Sequence, residues 1–111
     1  PEYNSSITGV LKNAIDWASR PLPGEKNLAC FTGKTAALLS ASPGALGGLR
    51  ALVHVRSILG NIQVLVLPDQ IAIPKAHEAF HPDGSLKDTK KHAEVQNLGA
   101  QLAKILIKLQ G

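Results

Sequence analysis

The opening segment of the chain, Pro1-Glu2-Tyr3-Asn4, is the first place where residue types and spacing suit chemistry, and it stands shortly before a helical pattern. In open α/β sheets, ligands bind where a strand leads through a loop to a helix N-terminus. Backbone N–H groups, the Tyr3 ring and the Asn4 amide could hydrogen-bond to and stack on a flat heterocycle. Asn and the following serines also favour ordinary helix-capping turns, so the composition alone leaves both interpretations open.

A glycine-rich segment from Ser42 to Gly48 is the second candidate, because it lies between a predicted strand and a predicted helix. Glycines there let a ligand approach the backbone closely, with the amides facing it. The segment is not a full dinucleotide fingerprint. Ser42 stands where the first glycine of G-x-G-x-x-G is expected, and no acidic residue follows at about 20 positions.

Two further motifs match known signatures only by their letters. His77-Glu78-Ala79-Phe80-His81 reads H-E-x-x-H, but Pro74 and Pro82 bracket it, so the long helix that a zinc protease needs is not predicted. We therefore expect solvated histidines and no metal site. Gly33-Lys34-Thr35 resembles the end of a P-loop, yet Leu28 occupies the position of the first glycine.

Composition excludes several classes of protein. The 111 residues carry 12 Lys and Arg against 8 Asp and Glu, and 44% are hydrophobic, which suits one globular domain. The basic residues are scattered and aromatics are few, so nucleic acid is not an expected partner; Lys87, Lys90 and Lys91 are predicted to form a solvated face. No apolar run is long enough for a membrane span, and the start lacks a signal-peptide pattern. The single cysteine, Cys30, suits a reducing compartment, so the cytoplasm is the expected location.

Hydrophobic periodicity predicts the elements that must position these segments. Their order along the chain is helix, strand, helix, strand, a proline-rich excursion and a final helix. The predicted bounds are about 8–19 for the first helix, 35–40 for the first strand, 49–59 for the second helix, 62–67 for the second strand, 68–88 for the excursion and 89–110 for the last helix. The composition of residues 35–40 also allows a helix, and the excursion has room for one short helical turn.

Such a run of βα units builds a parallel sheet covered by helices. We expect the first helix to lay its apolar stripe on the sheet and the first strand to be covered on both faces. Pro68 is expected to end the second strand. Two strands alone would leave open sheet edges, so the predicted domain resembles the back half of a doubly wound fold or a piece that docks to a partner.

The residues that follow the opening segment carry a specific resemblance. Pro1-Glu2-Tyr3-Asn4 and the run Gly9-Val10-Leu11-Lys12-Asn13-Ala14-Ile15-Asp16-Trp17-Ala18-Ser19-Arg20-Pro21 resemble the NAD(P)H-dependent FMN reductases, which include chromate, quinone and azo-dye reductases. The similarity continues through Gly33-Lys34, Leu39–Gly44, Gly47–Arg50 and Phe80–Asp88 into the last helix. Thr8 stands where the family often has proline, and His81 where it often has an acidic residue.

The resemblance implies a flavodoxin-like, three-layer αβα fold, noncovalent FMN, and assembly as a homodimer or homotetramer. NAD(P)H would reduce FMN by hydride transfer, and the flavin would then reduce an acceptor such as a quinone, chromate, an azo compound or free flavin. The implied cofactor-binding residues follow the third and fourth sheet strands of the family: Pro1, Glu2, Tyr3, Asn4, Ser42, Pro43 and Gly44. The helix beginning at Gly9 would contribute to the subunit interface. No side chain is assigned as an acid, base or nucleophile, because positioning and electrostatics are the protein's share.

One part of the family pattern has no match. The serine- and arginine-containing loop that cradles the FMN phosphate follows the first strand in that family, and residues 1–111 contain nothing similar. We therefore expect residues 1–111 to be the C-terminal part of a single flavodoxin-like domain. The alternative is a flavin-free interaction module, or an inactive fragment, that docks its open sheet edge to a partner.

Overall fold

A parallel strand–helix–strand unit forms the frame of the molecule, as seen in a computed structural model that describes residues 2–111; Pro1 lies outside the described residues. The elements are β1 Glu2–Tyr3, β2 Ser6–Ile7, α1 Gly9–Ala18, β3 Thr35–Ala41, α2 Leu49–Asn61, β4 Leu65–Ile73, α3 Ala76–Ala79 and α4 Thr89–Leu109. β3 pairs with β4 in parallel, and both α2 and α4 contact these two strands. The predicted α/β class with a parallel sheet is confirmed.

The core lies between the strand pair and these two helices. Its buried apolar side chains come from every one of these elements: Leu38 from β3, Ala51 and Leu52 from α2, Leu67 and Ile73 from β4, and Leu98 from α4, with Val64 just before β4. α2 runs through Gly60 to Asn61 and so ends two residues later than predicted. α4 begins at Thr89 as predicted, where the Asp88 carboxylate accepts hydrogen bonds from the amides of Lys90 and Lys91.

The prediction that Pro68 ends the second strand is wrong. β4 starts at Leu65 and continues to Ile73, because the pairing shifts register around the proline. Ala36 pairs with Val66 and Leu38 with Gln70, so three residues of β4 bulge opposite one residue of β3. Pro68 lies inside this bulge, where no ladder hydrogen bond requires its missing N–H.

Arg56 of α2 supports the bulge. Its guanidinium donates to the carbonyl oxygen of Leu67 at 2.7 Å and to that of Pro68 at 3.4 Å. It also donates to Oε1 of Gln70 at 2.9 and 3.3 Å. One cationic side chain therefore satisfies acceptors that the irregular pairing leaves free, and it ties α2 to β4.

Two predictions about apolar coverage are wrong for the described residues. In α1 only Ile15 is buried, whereas Val10 is 81% and Trp17 72% exposed, so the apolar stripe of this helix does not lie against the sheet. Leu39 of β3 is 54% exposed, so this strand is not covered on both faces. Strands β3 and β4 are too few to cover the apolar surface that the sequence encodes.

The predicted excursion begins after Ile73 and contains one short helix, α3. Pro82 and Asp83 form the tip of a turn in which the Gly84 amide donates to the His81 carbonyl at 2.9 Å. Hydrogen bonds from the Ser85 hydroxyl and amide lower the pKa of Asp83 below its ordinary value. His81 lies outside α3, and residues 2–111 contain no group of side chains suited to hold a metal ion. None of the helices in that range is long and apolar enough to span a membrane.

Candidate functional site

The opening segment folds as a tight hairpin, a feature that the periodicity did not reveal. β1 and β2 pair antiparallel, with Glu2 opposite Ile7 and Tyr3 opposite Ser6. Asn4 and Ser5 form the two-residue turn, with φ of 53° and 64°. Positive φ at both central residues is typical of a type I′ turn, and Asn tolerates this conformation well. The turn presents the side chains of Tyr3 and Asn4 to solvent, with Tyr3 64% exposed.

The hairpin is attached to α2 by three side-chain hydrogen bonds. The Glu2 carboxylate accepts from the Ala51 amide at 3.1 Å. The Arg50 guanidinium donates to Ser5 Oγ at 3.0 Å, and His54 Nδ1 lies 2.6 Å from Ser6 Oγ. The first turns of α2 therefore fix the position of the Tyr3–Asn4 side chains.

The glycine-rich segment predicted from the sequence connects β3 to α2. Gly47 and Gly48 both adopt positive φ, 64° and 88°. A Cβ on Gly47 would lie 2.6 Å from the Ile73 carbonyl carbon and the Pro74 nitrogen, so the loop backbone touches the end of β4. Ser40 Oγ, on β3, donates a hydrogen bond to the Gly47 carbonyl at 2.7 Å. This close packing requires glycine at both positions.

The other half of the same loop is held by the chain that follows β4. The Ser42 amide donates to the Ile73 carbonyl at 3.1 Å, and the Ser42 carbonyl accepts from the Ala76 amide at 3.0 Å. The Gly44 carbonyl accepts from the Lys75 amide at 3.1 Å. Backbone bonds thus hold the segment from Ser42 to Gly44, while Pro43 and Gly44 stay exposed and a Cβ on Gly44 would meet nothing within 4 Å.

The two predicted segments meet at the N-terminus of α2. A Cβ built on Gly48, the N-cap residue, would lie 3.9 Å from Cβ of Glu2. Tyr3 and Asn4 project from the hairpin turn, and the Ser42–Gly44 backbone lies open on the adjoining loop. An exposed ring, an amide without a protein partner among residues 2–111, and open backbone are donors and surfaces that suit a flat, hydrogen-bonding ligand.

The Glu2 side chain caps α2, whereas Tyr3 and Asn4 are exposed to solvent. Because Gly48 has no side chain, α2 lacks a cap of its own, and the Glu2 carboxylate supplies it from the hairpin. Ser40 is a second positioning residue that the sequence reasoning missed. A glycine pair before a helix, with no Ser, Thr, Asp or Asn beside it, is the signal that the cap must come from elsewhere in the chain.

The cap predicts a measurable loss of stability. Glu2→Ala is expected to lower the free energy of unfolding by about 1 kcal/mol, since the Ala51 amide loses its acceptor. Glu2→Gln keeps an acceptor oxygen and is the matched control, with a smaller loss due only to the charge. Urea unfolding followed by circular dichroism measures both. Equal losses for the two variants would contradict the assignment of Glu2 as the cap.

The two candidate loops lie at the carboxyl end of a parallel β-α-β unit, which is where α/β folds of the flavodoxin-like class bind their ligands. A sequence model described as NADPH-dependent FMN reductase matches residues 1–78. The chain belongs to the NADPH-dependent FMN reductase family.

Individual relatives agree with this family. An NAD(P)H-dependent FMN reductase of Pseudomonas aeruginosa is 46% identical over 86% of this chain and 50% of its own length. An NAD(P)H:quinone oxidoreductase of Solanum tuberosum is 37% identical over 100% of this chain and 55% of its own length. The solved structure of the flavoenzyme NAD(P)H:(acceptor) oxidoreductase FerB from Paracoccus denitrificans superposes with a TM-score of 0.73 at 34% identity, covering 94% of this chain and 58% of FerB. The chain thus spans about half the length of the relatives it matches.

Proposed function

We propose that the protein is a flavin-dependent NAD(P)H oxidoreductase, in which NAD(P)H reduces FMN and the reduced flavin passes its electrons to a small acceptor, with quinones as the first class to test. The observation that carries the proposal is the convergence of an exposed Tyr3–Asn4 turn and an open Ser42–Gly44 backbone at one helix N-terminus. The family of the chain supports this function over that of a flavin-free interaction module.

The residues present fit the ring portion of FMN. Gly44 leaves open space beside its Cα, and the backbone bonds to Lys75 and Ala76 fix the loop before any ligand arrives. The Asn4 amide is free to donate to or accept from a heterocycle edge. When bound, FMN supplies the two-electron redox chemistry. Backbone amides near the pyrimidine edge of the flavin would stabilise negative charge there, as donors do in an oxyanion hole.

The cofactor-binding residues that we propose are Pro1, Glu2, Tyr3, Asn4, Ser42, Pro43 and Gly44, with Glu2 acting through the α2 cap. Pro1 enters on the family resemblance alone. The FMN phosphate is assigned to none of them. This division, together with a chain that spans about half the length of these relatives, supports the proposal that residues 1–111 are the C-terminal part of one flavodoxin-like domain.

We also propose a homodimer or homotetramer. The support is the exposed apolar face of α1, where Val10, Leu11 and Trp17 are all exposed. Exposed apolar residues grouped on one element are typical of association surfaces. The cytoplasm is the proposed compartment, on the exposed, unpaired Cys30, which suits a reducing environment.

Flavin binding tests the site directly. Asn4→Gly removes the amide while keeping a residue that adopts the positive φ of the turn, and Gly44→Val fills the open space beside the loop. Each change is expected to raise the Kd for FMN about tenfold or more, the equivalent of roughly one hydrogen bond or one steric conflict. Titration of flavin fluorescence gives the Kd.

Gly99→Val is the matched control for Gly44→Val, because a Cβ at either position meets nothing within 4 Å and Gly99 lies on α4. Its Kd for FMN should equal that of the wild type. Oxidation of NADPH with a quinone as acceptor should follow the same order across the variants. Unchanged FMN affinity in both Asn4→Gly and Gly44→Val would contradict the assignment of these residues to the flavin site.

A further inference from the structure

A pocket lies beside the loop Ser42–Gly44 that we propose for flavin binding, called the flavin loop below. It has a volume of about 280 Å³ and is formed where β4 ends, by Ile73 and Pro74 on one side and the start of α4 on the other. Lys75, which lines this pocket, donates its amide to the Gly44 carbonyl at 3.1 Å. A backbone hydrogen bond therefore joins the lining of the pocket to the flavin loop.

Three lysines line this pocket, Lys75, Lys87 and Lys91, together with the carboxylates of Glu78 and Asp88. We call it the lysine pocket. Three ammonium groups against two carboxylates give this lining a net charge of +1. Glu78 Oε1 lies 3.1 Å from His77 Nε2, and Asp88 Oδ1 accepts hydrogen bonds from the Lys90 and Lys91 amides.

The three lysines differ in whether they form an ion pair. Lys91 forms an ion pair with Glu94 at 3.0 Å. Among residues 2–111, the ammonium groups of Lys75 and Lys87 take part in no ion pair. Lys75 and Lys87 thus line the pocket without an ion pair, and the net positive charge of the lining favours an anion there.

The backbone at both free lysines is fixed. Lys75 adopts a φ of 47°, in the left-handed region, and its amide bond to Gly44 holds it there. Residues kept in this conformation cluster at ligand-binding sites. The Lys87 amide donates to the Ala79 carbonyl at 2.9 Å. Hydrogen bonds therefore fix the backbone from which both long side chains extend.

We propose that the lysine pocket binds a phosphate group of NAD(P)H, an inference that rests on the proposed function. A nicotinamide that reduces FMN must reach the flavin held at Ser42–Gly44, and the adenosine half of the same molecule then has to lie nearby. That half carries a pyrophosphate and, in NADPH, a 2′-phosphate with a charge of about −1.5 to −2. Lysine binds phosphate as a point charge, so two free ammonium groups beside the flavin loop match this ligand.

The probes are 2′,5′-ADP, which carries the 2′-phosphate, and 5′-ADP, which carries only the 5′ chain. Each is titrated calorimetrically into the wild type and into Lys75→Gln/Lys87→Gln. The double variant is expected to raise the Kd for 2′,5′-ADP about tenfold or more, because two charge-assisted contacts are lost. A loss confined to 2′,5′-ADP assigns the pocket to the 2′-phosphate and predicts a preference for NADPH, whereas a loss with both probes assigns it to the pyrophosphate.

Lys26→Gln/Lys104→Gln is the matched control, since it removes the same net charge at two exposed positions outside the pocket. It should leave both Kd values unchanged. Equal affinity of the wild type and the Lys75/Lys87 variant for both probes, or no binding of either probe to the wild type, would overturn the inference.

FMN retention, measured on the same samples, separates this inference from the proposed function. If FMN binds and the lysines have no effect on either probe, the oxidoreductase proposal stands and the lysine pocket fails. If 2′,5′-ADP binding depends on the two lysines while FMN never binds, the phosphate site stands and the flavin function fails.

Discussion

Gly47→Ala is expected to destabilise the protein by about 2–5 kcal/mol. The residue has a φ of 64°, where a side chain costs roughly 1–2 kcal/mol, and its new Cβ would lie 2.6 Å from backbone atoms of Ile73 and Pro74. Backbone cannot move aside as a side-chain tip can, so overpacking adds about 1–3 kcal/mol. The midpoint of urea unfolding, followed by circular dichroism, measures the loss.

Gly44→Ala in the same loop is the control for this prediction. Gly44 has no positive φ, and a Cβ there meets nothing within 4 Å, so its unfolding midpoint should stay within about 0.5 kcal/mol of the wild type. The pair separates the two roles of the loop, which is packed against β4 at Gly47 and open to a ligand at Gly44. Similar stability for the two variants would show that the loop does not pack against β4 as described.

Arg56→Met has the second large effect, an expected loss of about 2–3 kcal/mol. Methionine keeps most of the packing volume but removes the donors to the Leu67 carbonyl and to Gln70 Oε1. Hydrogen bonds from a charged donor contribute about 1.5–3 kcal/mol, and the acceptors left in the bulge are part-buried. The free energy of unfolding from urea titration measures this effect.

Arg50→Met is the matched control for Arg56→Met, on the same helix and with the same change in charge. Arg50 is exposed and makes a single side-chain bond, to Ser5 Oγ, so its loss should stay below about 1 kcal/mol. A ranking with Arg50→Met as the more harmful change would contradict the role given to Arg56. Since the bulge sets the course of β4 toward Ile73, Arg56→Met should also weaken FMN binding.

Periodicity predicted the main elements because their apolar residues face a real core. Leu52 in α2 and Leu98 in α4 are almost fully buried, and both helices appear within two residues of their predicted ends. The prediction for Pro68 was wrong because the rule that proline ends a strand holds for a regular ladder. Here the Arg56 guanidinium, on α2, donates hydrogen bonds to the carbonyls that the irregular pairing leaves free. A partner 12 positions away in sequence gives no local signal of that kind.

The two segments of the candidate site were predictable from the sequence, but the hairpin and the helix cap that position them were not. The glycine-rich loop and the Tyr3–Asn4 turn stand out by residue type, and the family resemblance assigned them to the flavin. The β1–β2 hairpin was missed because each strand has two residues, too few to show alternation. The Glu2 cap was missed because it joins positions 49 residues apart. The prediction that α1 buries its apolar face was wrong, since residues 2–111 provide no sheet surface to cover Val10 and Trp17.

The most direct test of the account is the visible absorption spectrum of the purified protein after incubation with excess FMN and desalting, combined with amide NMR shifts. We expect FMN to shift the amides of Tyr3–Asn4 and Ser42–Gly44, with only small shifts at α4 residues such as Gly99, and a sample that retains oxidised flavin to be yellow. Unshifted amides in those two segments, with flavin bound or in excess, would contradict the claim that the hairpin turn and the glycine loop form the flavin site.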